Sequence, residues 1–220
     1  MRRLVMVLVG ALLLGAPIAA SAASESFEYR VFHPTYGEIG TYTNVVDRDG
    51  EATEVRTTVN IRVRILGIVV YRQDAQRSEH WQGEKLLAFD GVTVTNGDRL
   101  EVHGAQRDQG FVIHGPAGTV VAPGTVHPSN PWSAMVLDAS VMMSARTGKV
   151  SEVHITGGEV RPVSINGTTL RLHQYEIEAN RRHFVWLADD GVPVAFRTDE
   201  DGTMIDFLLK HPQQAANEPR

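Results

Sequence analysis

Cysteine is absent from all 220 residues. This excludes disulfide staples, thiol nucleophiles and a lipid-bearing cysteine after an export signal. The chain also lacks a concentrated basic face: 21 Lys and Arg are scattered among 26 Asp and Glu, for a formal net charge of −5. That balance argues against a nucleic-acid partner, whose phosphates need clustered positive charge. Beyond the N-terminal stretch no apolar run approaches the ~20 residues a spanning helix requires, so the remaining chain is not expected to be membrane-spanning. Catalytic signatures are missing too. There is no Gly-x-Ser-x-Gly elbow, and Gly115-Pro116-Ala117-Gly118-Thr119 has neither the spacing nor the lysine of a phosphate-binding loop. No cofactor is expected.

What is present begins with an export pattern. Met1-Arg2-Arg3 is a positive n-region, Leu4 to Leu14 an apolar h-region, and Ala20-Ser21-Ala22 a small-x-small cleavage site. Residues 1–22 therefore read as a signal peptide cleaved near Ala22, and the product as periplasmic or secreted. Residues 23–210 read as a single β-rich domain, since roughly 200 residues can bury one core unaided. Residues 211–220 are polar with two prolines and read as a disordered tail.

The central stretch is Val55 to Gly83. Val55, Thr57, Val59, Ile61, Val63 and Ile65 alternate with Arg56, Thr58, Asn60, Arg62 and Arg64, the period of a strand with one buried face. The polar segment Arg72 to Ser78 is read as the turn of a long hairpin that returns through Glu79-His80-Trp81-Gln82-Gly83. Further turn dipeptides at Asp49-Gly50, Asp90-Gly91, Asn96-Gly97, Asn166-Gly167, Asp190-Gly191 and Asp201-Gly202 predict hairpins in series.

Registers follow from keeping apolar residues on one face. Asn166-Gly167 pairs Ile165 with Thr168 in a two-residue turn. Asn96-Gly97 is expected to form a three-residue bulged turn pairing Val94 with Leu100. Two-residue turns at Asp190-Gly191 and Asp201-Gly202 place Val185, Leu187, Val194, Phe196, Ile205, Phe207 and Leu209 together. The other face of that meander then carries the row Trp186, Ala195, Leu208 beside the row Phe184, Arg197, Asp206.

A face with Trp186 and Leu208 needs a cover. Trp132, Met135, Val136, Ala139, Met142 and Met143 recur at helical spacing, with Asn130 as N-cap, Pro131 at the first position and Gly148 past the end. The fold class is therefore mainly β: a curved antiparallel meander sheet or open β-barrel (half-barrel) with one α-helix packed on it.

Three groups are candidate sites. Glu79 and Trp81 share a strand face and are expected to form a polar cluster with Arg62 and Arg64, an ion pair rather than a catalytic acid. His103 and His114 fall opposite each other across a hairpin and could begin a metal site, but Glu101 is a weak third ligand and metal is not expected. Trp132, Met135, Met142, Trp186, Leu208 and Arg197 are the expected lining of a ligand site between helix and sheet. The methionines could equally be ordinary core.

Tyr71-Arg72, Glu79-x-Trp81-x-Gly83, the loop from Gly115-Pro116 to Pro123, Trp132, Thr147-Gly148, and Trp186 through Asp190-Gly191 to Asp201-Gly202-x-x-Ile205 occur in this order. With this set the chain resembles a family of exported bacterial proteins classed as domain of unknown function 6134. It departs from the family pattern at Arg72-Gln73-Asp74-Ala75. The resemblance implies export and a β-rich fold akin to the half-barrels that carry lipids through the periplasm, and it supplies no activity and no functional residue.

Three functions are weighed. The first is a non-enzymatic envelope protein binding a lipophilic or amphipathic small molecule in a curved sheet. The second is an envelope assembly protein acting through a sheet edge. The third, least favoured, is a hydrolase or metal-dependent enzyme.

Overall fold

The computed structural model describes residues 23–212, so the expected leader and all but the first two residues of the expected tail lie outside the described residues. Strands β1 (Ala23–His33), β2 (Gly37–Asp49), β3 (Ala52–Ile65), β4 (Ile68–Gln82), β5 (Lys85–Thr95), β6 (Asp98–Arg107), β7 (Gly110–Gly115) and β8 (Gly118–Ala122) form one antiparallel meander. A second meander comprises β12 (His154–Ile165), β13 (Thr168–Glu178), β14 (Arg182–Leu187), β15 (Pro193–Glu200) and β16 (Thr203–Leu209). The two fuse because β16 pairs with β1, Tyr29 opposite Leu209. The result is a 13-stranded open sheet with β12 and β8 at its edges.

The intervening residues cross the inner face of this sheet. They contribute the short strands β9 (Val126–Pro128), β10 (Val141–Met143) and β11 (Val150–Glu152), which form a small sheet of their own. The α-helix expected here is not present. In its place is a single 3-10 turn, Ala134–Asp138, capped by Ser133, whose hydroxyl accepts from the Met135 amide. The physical reason is that this segment has apolar neighbours on two sides. Val136 and Met142 pack into one core cluster, Trp132 and Met143 into another, and a single helical stripe could serve only one of them. Asn130, expected as an N-cap, is instead turned into the core.

The C-terminal registers match the alternation. Trp186 faces Ala195 and Ala195 faces Leu208; Phe184 faces Arg197 and Arg197 faces Asp206. The Asp190-Gly191 connection is longer than a two-residue turn, with a bulge at Trp186/Leu187 and a closing bond from the Ala188 amide to the Val192 carbonyl. Ile165 faces Thr168.

Two other turns depart from expectation. At Asn96-Gly97 the turn has two residues, Thr95 facing Asp98 and Val94 facing Arg99. Inward positions then go to Gly91, Thr93, Leu100, Val102 and Gly104 rather than to Val92 and Val94. Small residues are required there: a Cβ on Gly104 would lie 2.3 Å from the Phe111 ring. The long hairpin turns at Leu66-Gly67, not at Arg72 to Ser78, and β4 runs unbroken through that polar stretch. Turn chemistry favours Asn or Asp before Gly, so Leu66 carried no signal.

Candidate ligand cavity

The inner face of the sheet holds two unlike regions. Around Trp81, Leu86, Phe89, Phe111 and Ile113 the crossing segment fills the space with Val126, Trp132 and Met143. Toward the other end the filling stops, and a cavity of about 760 Å³ remains. That volume lies within the ~300–1,000 Å³ of small-molecule sites.

Its walls are mostly apolar. Val59, Ile61 and Val63 of β3 come from the odd face of the alternating strand, Ile39 from β2, and Phe196, Ile205 and Phe207 from the meander. Phe196 and Phe207 stack 4.3 Å apart. The odd positions of β4 bring polar groups into the same space: Tyr71, Gln73 and Arg77. Tyr71 Oη donates to Gln73 Oε1 at 2.9 Å. Arg146, Thr95 and His183 add to the polar lining, and Lys149, Arg181, Glu200 and Asp201 bring charges of both signs to the same wall.

Among the described residues four buried side-chain atoms have no hydrogen-bond partner, and two of them are guanidinium nitrogens of this lining, Arg77 Nε and Arg146 Nε. A buried N–H without an acceptor is unfavourable by ~1–3 kcal/mol, so such groups in a cavity wall mark a place suited to an acceptor. The two arginines reach the same wall through a close backbone crossing. Gly91 pairs with Arg77 across β4 and β5, and a Cβ there would sit 3.3 Å from the Ala145 carbonyl oxygen. The loop bearing Arg146 therefore passes directly over the strand position of Arg77.

Charges of both signs act at the wall. Burial raises the Tyr71 hydroxyl above its usual range, with Arg146 opposing and Glu200 and Asp201 adding to the rise. Burial, reinforced by Arg181, pushes His183 down to about 4, so its imidazole is neutral at physiological pH.

A buried carboxylate secures the floor. Glu79 Oε1 accepts from Asn130 Nδ2 at 2.7 Å, and Oε2 accepts from Trp81 Nε1 and Trp132 Nε1, each at 3.0 Å. Asn130 Oδ1 in turn accepts from Tyr42 Oη at 2.6 Å and Asn44 Nδ2 at 3.1 Å. Burial raises Glu79 to about 7 despite these donors and the nearby Arg77. The network pins the crossing segment to β2, β3 and β4, with Tyr42 and Asn130 reaching the cavity wall.

The expected polar cluster of Glu79 and Trp81 with Arg62 and Arg64 does not form. Glu79 faces Val55 and lies on the core side. Arg62 binds Asp74 at 2.6 Å and Arg64 is exposed. The cause is a bulge at Val63/Arg64 that shifts the register by one residue and so exchanges the faces of everything beyond it in β4.

The expected site between Trp186 and a helix is likewise not there. Trp132 and Met135 belong to the filled region. Trp186 and Leu208 lie on the outer row, where Phe184 stacks on Trp186 with centroids 6.2 Å apart and the Arg197 guanidinium sits 5.8 Å from its ring. Met142 does line the cavity. Arg197 borders it as well, but its guanidinium is held by Asp206.

His103 and His114 face each other as expected. They turn to separate partners, His103 Nδ1 to Asp90 at 2.7 Å and His114 Nδ1 to Thr119 at 2.8 Å. No cluster of three metal-ligating side chains exists among the described residues. Arg77, Arg146, Thr95 and His183 were not singled out by sequence. The available signal was an arginine at an odd position of β4 between Ala75 and Glu79, a cation on a core face.

Comparisons with known proteins agree with this architecture. A family model described as Domain of unknown function (DUF6134) matches residues 29–210. A crystal structure of a beta-barrel-like protein of domain of unknown function DUF1849 from Brucella abortus is similar, with a TM-score of 0.62 and 10% identity over 84% of this chain and 94% of that one. At that identity the likeness concerns the fold alone. No curated protein matches the chain.

Proposed function

The chain belongs to the DUF6134 family, and since that family's description names no activity, we propose from its geometry that it is an exported, periplasmic, non-enzymatic protein that binds an amphipathic small molecule with an acidic head group. The observation that carries this reading is the pairing of an apolar cavity of about 760 Å³ with buried, unpartnered Arg77 Nε and Arg146 Nε in its wall. A carboxylate or phosphate would accept from these donors while an alkyl portion covers Val59, Ile61, Phe196 and Phe207. Glu79, the most deeply buried carboxylate here, supports a binding role over catalysis. Both its oxygens already accept bonds from within the chain.

Assembly through a sheet edge has less support. Edge strand β12 carries Pro162 and a bulge at Gly157/Glu159, devices that blunt strand addition.

Native mass spectrometry and solvent extraction of the purified protein test the proposal, with oleate as an added probe. A one-to-one adduct that is lost in Val59→Phe and weakened at least tenfold in Arg77→Leu is the expected result. A bare polypeptide mass with and without oleate would remove the proposal.

A further inference from the structure

The β3–β4 hairpin ends in a turn unlike its counterparts. Among the described residues four non-glycine positions have left-handed φ: Leu66 at 50°, Asn96 at 52°, Asn166 at 51° and Asp201 at 55°. Each opens a two-residue hairpin turn and each precedes a glycine. Asn and Asp tolerate this conformation because their short polar side chains bond the local backbone. Leucine has no such compensation. Leu66 is nevertheless there, 98% exposed, and Ile65, Ile68, Val69 and Val70 around it are exposed as well. Folding would be better served by asparagine, so an apolar tip held in a disfavoured conformation points to a use outside the fold.

Two features identify what it meets. The tip is continuous with the cavity opening, since Val70 and Tyr36, both half exposed, border the cavity. The strands behind it carry Arg62, Arg64 and Arg72 against one carboxylate, Asp74, which both Arg62 and Arg72 share. Arg64 is exposed and makes no ion pair among the described residues. Apolar side chains leading with an excess of guanidinium groups over carboxylates just behind is the arrangement that enters the boundary of an anionic bilayer, alkyl groups among acyl chains and cations at lipid phosphates.

We propose that the Ile65–Val70 tip is a membrane-docking element that seats the mouth of the cavity against an anionic lipid surface. The proposal stands on the hairpin's conformation, exposure and charge, and holds whether or not the cavity carries a lipid.

Vesicle co-sedimentation of the purified protein tests it, with phosphatidylcholine vesicles alone and with phosphatidylglycerol added. The protein is expected to sediment with the anionic vesicles. Leu66→Asn should lower the partition about tenfold or more, the effect of withdrawing one leucine side chain from an apolar phase, while its unfolding midpoint stays equal to or above the wild-type value. Arg64→Gln should weaken binding to anionic vesicles and leave the neutral control unchanged. Val59→Phe should bind vesicles like wild type even where it has lost the cavity ligand, which separates this proposal from the previous one. Wild-type protein left in the supernatant, or Leu66→Asn sedimenting like wild type, overturns it. So does a concentration-dependent dimer abolished by Leu66→Asn, which would make a second copy the occupant.

Discussion

Val55 and Val59 lie four residues apart on one face of one strand, and both are buried. Their surroundings could hardly differ more. Val55 packs in the region completed by Trp81, Leu86, Phe111, Trp132 and Met143, whereas Val59 forms part of the wall of the cavity. The sheet is the same at both ends. What differs is the crossing segment, which brings bulk over the first and leaves the second hollow. A continuous β-scaffold can thus be a packed core along half its length and a container along the rest, with the boundary set by where a loop crosses. The hydrogen bonds around Glu79 hold that boundary in place.

The comparison can be broken most severely at the filled end. Phe111 is fully buried with its ring over Gly104, so Phe111→Ala should cost about 3–5 kcal/mol in urea-induced unfolding.

Next in size is a contrast in pH dependence, because the two regions hold groups shifted in opposite senses. Glu79 has a folded pKa of about 7 against 4.5. Its folded form keeps a proton that the unfolded chain releases, so its contribution falls as pH rises from about 4.5 to 7. His183 has a folded pKa of about 4 against 6.5. It resists a proton that the unfolded chain accepts, so its contribution falls as pH drops from about 6.5 to 4. Each is of order 3 kcal/mol, and in the wild type they largely cancel. Glu79→Gln should therefore leave a stability that climbs between pH 4 and 6.5, and His183→Gln one that declines between pH 4.5 and 7. Two parallel profiles in urea titrations would contradict the assignment.

A smaller test compares like with like. Val55→Phe overfills a packed site and should lose about 1–3 kcal/mol, while Val59→Phe projects into free volume and should lose well under ~1 kcal/mol. Equal losses would mean that the hollow end is not hollow in solution. Smallest of all, Leu66→Asn should gain about 0.5 kcal/mol by relieving the left-handed leucine.

Much of the sheet was legible because alternation is a strong constraint. In β14, β15 and β16 the inward residues Val185, Leu187, Val194, Phe196, Ile205, Phe207 and Leu209 are apolar and Gly-containing turns join the strands, so the rows Trp186–Ala195–Leu208 and Phe184–Arg197–Asp206 could be written from sequence. The site was less legible for reasons traceable to single residues. Leu66-Gly67 hides a turn behind a leucine, and the bulge at Val63/Arg64 flips parity without any glycine or proline to announce it. Together they reversed the side on which Glu79 was placed and hid Arg77 in a supposed turn. The crossing segment misled because its apolar residues at spacings of three and four satisfy a helix template while serving two different cores. Arg146 has no periodic context at all. Its role follows only from the loop crossing above Gly91.

One feature of the topology bears on how the molecule is made. The first strand, β1, lies in the interior of the sheet, and its neighbour on one side is the last strand, β16, so that Tyr29 waits for Leu209. Tyr29 Oη likewise donates to the Pro193 carbonyl at 2.7 Å. Joining the ends of a chain this long is entropically costly and slow. The sheet cannot be completed until nearly the whole polypeptide is available, and until then β1 exposes an unpaired edge. Closing the β1–β16 pairing is therefore a step that joins the two ends of the described chain.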